Sequence, residues 1–289
     1  MAELTSIVIP CYKGEPWLAQ AIESCLRQSY EALEVIVVDD ASPDRCGEIA
    51  AQIAGGDARV RVARHDKNCG VSAAFNTGYG LARGAYLTRL AQDDWFEPDA
   101  VAEMVRYLDE HPGVGLVYAD EQRVNESQQT TGHIRRPGPD SVIEGGNHMG
   151  LCVMWKRELW EKVGKFDSRF DSAEDYDYWE RAARHFRFGH LEGRPLLSVR
   201  FHAEMGSGKF AGKQEMLAAE ILSRYAAGCA AGRKAVAAGY LNAAYNYGAS
   251  GDRMLALRCL WRALRYRPLD AAVYARVPGT LRRVAAPAP

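Results

Sequence analysis

The run Leu33-Glu-Val-Ile-Val-Val38 constrains the fold more than any other segment of this chain. Its β-branched residues suit a strand, and a near-continuous apolar run suits one buried on both faces. Such a strand belongs in a parallel sheet flanked by helices. The neighbouring segments agree. Residues 5–10, 59–63, 85–90 and 114–118 read as further strands. Over 16–27, Trp17, Leu18, Ala21, Ile22, Cys25 and Leu26 form a helical stripe. More helices are expected from after Asp44 to about residue 54, over 71–82 and over 98–110. The last has Pro98 in its first turn and stops at His111-Pro-Gly113. Strand and helix alternate with short connections. The expected class is α/β, with a mostly parallel central sheet and helices on both faces.

The alternation weakens after Asp120. Residues 121–147 are polar and rich in Gly and Pro, as in a hairpin and loop. Residues 151–163 resume as strand then helix, 175–187 as helix and 195–201 as strand. Residues 203–213 read as a loop, whose Gly206-Ser-Gly-Lys209 lacks the full spacing of a phosphate loop. From about 214, Ala, Leu, Arg and Tyr recur at helical spacing. The chain therefore divides into a domain at 1–212 and a C-terminal helical appendage at 213–289, with 284–289 frayed. In the appendage Leu255, Leu257, Leu260, Trp261 and Leu264 mark an amphipathic helix. Tyr240, Tyr245, Gly248, Asp252 and Pro268 resemble one tetratricopeptide-like helix pair. Arg253, Arg258, Arg262, Arg265 and Arg267 could meet anionic lipid headgroups.

Composition removes several classes. A net charge of -1 gives no global attraction to nucleic acid. No basic-then-apolar leader opens the chain, and no apolar run approaches the ~20 residues of a membrane span. A cytoplasmic protein is expected, with peripheral contact at the inner membrane face through the basic C-terminal helix. The 7 cysteines are scattered without a CxxC pair, which argues for reduced thiols over a structural zinc or a disulfide scaffold.

Two acidic pairs close strands. Asp39-Asp40 follows the 33–38 run, and Asp93-Asp94 follows 85–90. Open α/β sheets bind ligands at the carboxyl ends of their strands. Adjacent carboxylates repel unless a cation or hydrogen-bond donors compensate them. A divalent metal holding a diphosphate would do so, although helix capping explains an isolated pair equally well. A third group, Glu174-Asp175-Tyr176-Asp177, opens the helix at 175–187. Tyr176, Trp179, Ala183 and Phe186 share one apolar stripe. At about 100° per residue, Asp175 lies roughly 60° from its centre, with Glu174 and Asp177 on the far side. The first turn of a helix also stabilises an anion.

In order, these segments resemble the family 2 glycosyltransferases of the GT-A fold, over roughly residues 5–202. The resemblance rests on Ser6-Ile-Val-Ile-Pro-Cys-Tyr12, Glu34-Val-Ile-Val-Val-Asp-Asp-Ala-Ser-Pro-Asp44, Asn68-Cys-Gly-Val-Ser-Ala-Ala-Phe-Asn-Thr-Gly78 and Gln92-Asp93-Asp94. Gly164-Lys-Phe-Asp167 with Glu174-Asp-Tyr-Asp-Tyr-Trp179 completes it. It implies a metal-dependent inverting transferase of the hexosyl or N-acetylhexosaminyl class. The donor would be a nucleotide-sugar, with UDP-sugar the commonest in the family. The acceptor would be a hydroxyl of a glycan or lipid-linked sugar, as in polysaccharide biosynthesis.

The resemblance also implies roles. Pro10 and Tyr12 frame the base, and Asp39 bonds the base or ribose with Asp40 beside it. Lys67, Asn68, Gly70 and Gln92 belong to the donor site. Asp93 contacts ribose or metal-bound water, Asp94 and His202 hold Mn²⁺ or Mg²⁺, and Asp175 is the general base. Three positions depart from the family pattern. Ala91 stands where many members have a first Asp, Phe75 where Arg is frequent and Lys13 where Asn is common. Lys67 is the substitute cation at hand. A sugar nucleotidyltransferase needs a Gly-rich loop where Pro10-Cys-Tyr-Lys-Gly-Glu15 stands, and a nicotinamide dehydrogenase needs GxGxxG there. A non-catalytic nucleotide-sugar-binding scaffold would lack the base or the metal acid, and both residues are present.

Overall fold

The computed structural model of the protein describes residues 2–141, 147–202, 211–225 and 230–266. The loop expected at 203–213 lies mostly outside them, and the end expected to fray lies wholly outside. In chain order the elements are β1 (Thr5–Cys11), α1 (Leu18–Leu26), β2 (Leu33–Asp39), α2 (Cys46–Gly56), β3 (Val60–Arg64), α3 (Val71–Leu81), β4 (Tyr86–Arg89), β5 (Trp95–Phe96) and α4 (Ala100–Glu110). There follow β6 (Val114–Ala119), β7 (Glu121–Val124), β8 (Thr130–Ile134), β9 (Val153–Lys156), α5 (Arg157–Val163), α6 (Glu174–Ala182), β10 (Arg187–Leu191) and β11 (Leu197–Arg200). Three long helices close the described chain: α7 (Ala211–Tyr225), α8 (Ala230–Ala249) and α9 (Arg253–Tyr266).

These residues form two compact units, the first comprising 2–141, 148–171 and 181–202, the second 147, 172–180, 211–225 and 230–266. The first unit is built on a seven-stranded sheet of order β10-β6-β9-β4-β1-β2-β3. Strands β1, β2, β3 and β4 run parallel, while β9 lies antiparallel between β4 and β6. Every residue of β2 is buried, as its β-branched run requires. A second sheet, β5-β11-β7-β8, carries the expected hairpin.

Glu34 is the exception in that apolar strand. Its carboxylate accepts bonds from the Ser6 hydroxyl (2.8 Å), the Arg83 N–H (2.7 Å) and guanidinium Nε (3.0 Å), and from Arg61 (3.2 Å). Burial raises the carboxyl, but these donors outweigh it and hold the group below its ordinary 4.5. Because the folded value is the lower one, this stabilisation is complete above pH 4.5 and is lost as pH falls through the folded value. Glu34→Ala is expected to cost about 2–4 kcal/mol by denaturant titration, since it strands buried donors. Glu34→Gln is expected to flatten the acid limb of the stability profile.

The structure corrects the helix expected at 175–187. It ends at Ala182, whose carbonyl accepts from both His185 and Phe186. Phe186 is not part of a helical stripe. It lies over Gly115 of β6, where a Cβ would come within 2.5 Å of its ring. The chain then forms β10 parallel to β6. Strand β5 was also not foreseen, because two residues carry no periodicity.

In the second unit, α8 packs against both α7 and α9. A Cβ at Gly239 would lie 3.0 Å from that of Ala219, so the helices approach closely there. The buried face of α9 is Ala256, Cys259, Leu260 and Ala263, so of the expected stripe Leu260 is buried and Leu255 and Leu264 are half-buried. Small residues permit the close approach and leave Leu257 and Trp261 exposed, Trp261 at 62%.

Candidate active site

The chain leaves β1 toward β2 and β3, then returns to β4 on the other side of β1. Such a reversal opens a crevice beyond the carboxyl ends of the two central strands. The loops there are Tyr12–Gly14 after β1 and Leu90–Asp94 after β4. Gln92 joins them. Its Oε1 accepts the Tyr12 N–H at 2.8 Å, and its Nε2 donates to the Tyr12 carbonyl at 3.0 Å. The amide thus mimics a strand neighbour. Gly14 makes room for it, since a Cβ there would fall 2.1 Å from Oε1. Lys13 takes the left-handed conformation (φ 56°) and donates its N–H to Ser42 Oγ at 2.8 Å. The result is an exposed Tyr12 ring on a pinned backbone, with the Lys13 ammonium 5.4 Å from the ring centre. Pro10, in β1, is half-buried.

Asp39 and Asp40 both turn inward. Asp39 is fully buried, accepts the Ser42 N–H at 2.8 Å and lies 3.4 Å from Arg64 Nε. Asp40 accepts the N–H groups of Cys69 and Gly70, each at 2.9 Å, and pairs with His65 Nδ1 at 2.6 Å. Both carboxylates thus bond to neighbouring backbone and side chains, and Asp39 Oδ2 is buried with no hydrogen-bond partner. Lys67 and Asn68 are exposed on the turn that Asp40 anchors.

Gly70, expected at the donor site, has a φ of +90° that demands glycine, and Asp171 fills the space beside it, with Oδ2 1.9 Å from where a Cβ would sit. Asp171 also accepts from the hydroxyl and N–H of Ser72, which caps the start of α3. Phe75, the family's frequent arginine position, is buried against Tyr79 and Phe166, with the Arg89 guanidinium 5.9 Å above its ring. Here the helix face at residue 75 belongs to an aromatic core.

The second acidic pair divides its labour. Asp94 is buried, and its Oδ1 accepts the Arg200 N–H at 2.9 Å. Burial and the adjacent Asp93 carboxylate push the Asp94 carboxyl well above the ordinary carboxylate range. Asp93 points instead to His202, with Oδ2 2.9 Å from Nε2. His202 packs tilted against Trp17 at 4.2 Å between ring centres, and its Nδ1 is buried with no hydrogen-bond partner. The Arg200 guanidinium donates to the Asp93 carbonyl at 3.0 Å and to Gln20 at 2.7 Å. It is thus Asp93, not the Asp94 expected as a ligand, whose carboxylate lies against His202. The His202 Nε2 beside the Asp93 carboxylate oxygen is a nitrogen and oxygen donor pair of the kind that fits a divalent metal such as Mn²⁺ or Mg²⁺. Arg200 and Trp17 were missed by sequence reasoning. Arg200 ends β11 two residues before His202, so strand alternation continued to His202 could have flagged it.

Asp175 lies in the second unit, in the first turn of α6. It is half-buried, and its Oδ1 accepts the Tyr176 N–H at 2.8 Å. The stripe argument that singled it out does not hold, because Glu174 and Asp177 are more deeply buried than Asp175. Both have structural bonds: Glu174 accepts the Ser172 N–H at 2.9 Å, and Asp177 accepts the Tyr225 hydroxyl at 3.2 Å. Asp175 remains the most accessible of the three.

The sequence model described as Glycosyl transferase family 2 matches residues 6–165. Among curated relatives, the chain is 34% identical over 177 residues to the uncharacterised protein y4gI of Sinorhizobium fredii, covering 60% of this chain and 20% of that one. It is 30% identical over 225 residues to an uncharacterised glycosyltransferase of Rickettsia bellii, covering 73% and 32%. The chain thus spans between a fifth and a third of the length of these relatives. Among solved structures, S. aureus TarS 1–349 in complex with UDP superposes with a TM-score of 0.71 at 14% identity, over 97% of this chain and 89% of that one. The mannosyltransferase PcManGT of Pyrobaculum calidifontis, in complex with GDP-Man and Mn²⁺, gives 0.62 at 18%, over 99% and 86%.

Proposed function

This chain belongs to glycosyl transferase family 2, and from that premise we propose that it moves a sugar from a nucleotide-diphosphate donor, a UDP-sugar first, to a hydroxyl of a glycan or lipid-linked acceptor with inversion. The observation that carries the reading is the crevice between β1 and β4, where the pinned Tyr12 ring and the Asp93–His202 pair lie on adjoining loops. The Tyr12 ring offers a stacking face for a base, and Lys13, Lys67 and Asn68 offer donors to ribose or phosphate. Asp93 and His202 would hold Mn²⁺ or Mg²⁺. When bound, such an ion neutralises the departing diphosphate. Gln92 and Arg200 act by positioning: one fixes the Tyr12 backbone and the other the Asp93 backbone.

In the reaction, the acceptor oxygen forms a bond to the anomeric carbon as the bond from that carbon to the diphosphate breaks. The acceptor proton passes to Asp175, and the nucleoside diphosphate leaves. One displacement inverts the anomeric centre, so an α-linked donor gives a β-linkage. Hexosyl and N-acetylhexosaminyl groups both suit this chemistry. UDP- and GDP-sugars are the two donor arms to separate, since the two structural neighbours were solved with UDP and GDP-Man. The test is a panel of UDP-, GDP- and dTDP-sugars scored by thermal shift and by release of nucleoside diphosphate, with and without Mn²⁺. One nucleotide class should bind and turn over only with the metal. No shift with any member would remove the reading.

The exposed face of α9 supports peripheral contact with an anionic membrane. Met254, Leu257 and Trp261 lie on its outer side beside Arg258 and Arg265. Basic residues near such a surface contribute about 1 kcal/mol each. Among the described residues no helix is long and apolar enough to cross a membrane. Vesicles of anionic phospholipid should sediment the chain at low salt and release it at high salt, with Trp261→Ala binding several-fold more weakly. Equal sedimentation with neutral vesicles would reject the electrostatic part.

A further inference from the structure

Three potential metal ligands that are scattered in sequence meet on one side of the first unit. Asp40 follows β2, His65 follows β3 and Cys69 sits in the turn before α3. One carboxylate oxygen, one imidazole nitrogen and the Cys69 sulfur all lie within 4.8 Å of one another. We propose that they form a second metal site, for a borderline-soft divalent cation of the Zn²⁺ type, separate from the Asp93–His202 pair. The assignment does not depend on the glycosyl-transfer reading.

The ligand types carry the choice of ion. Thiolate, imidazole and carboxylate together suit Zn²⁺, with a fourth position left to water. Asp93 and His202 offer only oxygen and nitrogen, which suit harder ions. The spacing is close to what a tetrahedral ion needs. Zinc–ligand bonds of about 2.0–2.3 Å place ligand atoms roughly 3.3–3.6 Å apart. Asp40 Oδ1 and His65 Nδ1 now lie 2.6 Å apart, so they must part by about 1 Å or less. Cys69 is exposed, and its Sγ donates to the Lys67 carbonyl at 3.2 Å, a bond that ligation as thiolate would replace.

The outer sphere is already in place. His65 Nε2 lies 2.8 Å from Thr77 Oγ1 on α3, which fixes the ring from its far side. The second oxygen of Asp40 accepts the Gly70 N–H at 2.9 Å. Such partners orient ligands and raise their basicity. Proton balance follows from these contacts. The Cys69 thiol releases its proton to solvent. His65 moves its proton from Nδ1 to Nε2, where Thr77 Oγ1 accepts it. Affinity should therefore rise with pH. Burial grades from Asp40, inside, to Cys69, outside, which gives the ion a route from solvent. Once bound, it would tie the end of β2 to the turn that carries Lys67 and Asn68.

Cobalt makes the test specific, because only a thiolate ligand gives a strong near-ultraviolet sulfur-to-metal charge-transfer band. Co²⁺ is titrated into the metal-free full chain, and Zn²⁺ is then added. The expected result is a band saturating at one equivalent and erased by Zn²⁺. Cys69→Ser, at an exposed position compatible with folding, should lose the band and bind Zn²⁺ at least ten-fold more weakly. Asp93→Asn should keep the band. No band in the unaltered chain, its persistence in Cys69→Ser, or its loss in Asp93→Asn would overturn the assignment.

Discussion

Asp175→Asn is expected to lower kcat by about 10²–10⁴-fold, the usual contribution of a positioned general base, while the donor KM changes little. Asparagine keeps the size of the side chain and can still accept the Tyr176 N–H through its amide oxygen. It cannot take a proton from the acceptor. The measurement is steady-state release of nucleoside diphosphate with saturating acceptor, alongside a melting curve to show that α6 is intact. Glu174→Gln and Asp177→Asn make the control pair. Their carboxylates are committed to Ser172 and Tyr225, so these changes should lower stability more than turnover. Unaltered kcat in Asp175→Asn, or a larger loss of kcat in either control, would move the base elsewhere in the cluster.

Asp93→Asn is expected to remove about three orders of magnitude from kcat/KM, because a bound metal supplies several kcal/mol of charge stabilisation and each 1.36 kcal/mol is ten-fold. His202→Ala should act in the same direction through the same ion. The pair should be non-additive, because once one ligand is gone the second change finds little left to lose. Isothermal titration of Mn²⁺ with a nucleoside diphosphate present gives a readout separate from turnover. Asp94→Asn divides the two acids. Asp94 holds the Arg200 N–H from a buried position, and asparagine can keep that bond through its amide oxygen. Asp94→Asn should therefore retain most of the Mn²⁺ affinity that Asp93→Asn loses. The reverse ranking would return the ligand role to Asp94.

Much of the donor crevice was legible because it depends on short-range patterns. The β-branched run before Asp39 could only be an inner strand, and the acids after two such strands had to sit at the sheet's carboxyl edge. What each acid does there was not legible. Asp93 and Asp94 are neighbours in the chain with opposite surroundings, one facing His202 and the other bonded to the Arg200 backbone. Periodicity went wrong at α6 for a related reason. A helix buried on several sides has no single apolar stripe, and Phe186 owed its apolar character to Gly115 across the sheet. On α9 the stripe was right for Leu260 and wrong for Leu257 and Trp261, because the buried face is completed by small residues that permit close helix packing.

The sequence by itself determined the layer architecture, the family and the edge of the sheet where ligands gather, because backbone preference and side-chain alternation act between residues close in the chain. Tertiary structure alone decided which carboxylate faces the crevice, that Asp171 closes on Gly70, and that Asp40, His65 and Cys69 meet. Those outcomes depend on contacts between residues 25–109 positions apart. Across such separations, no local spacing rule specifies which side chains will share a desolvated neighbourhood.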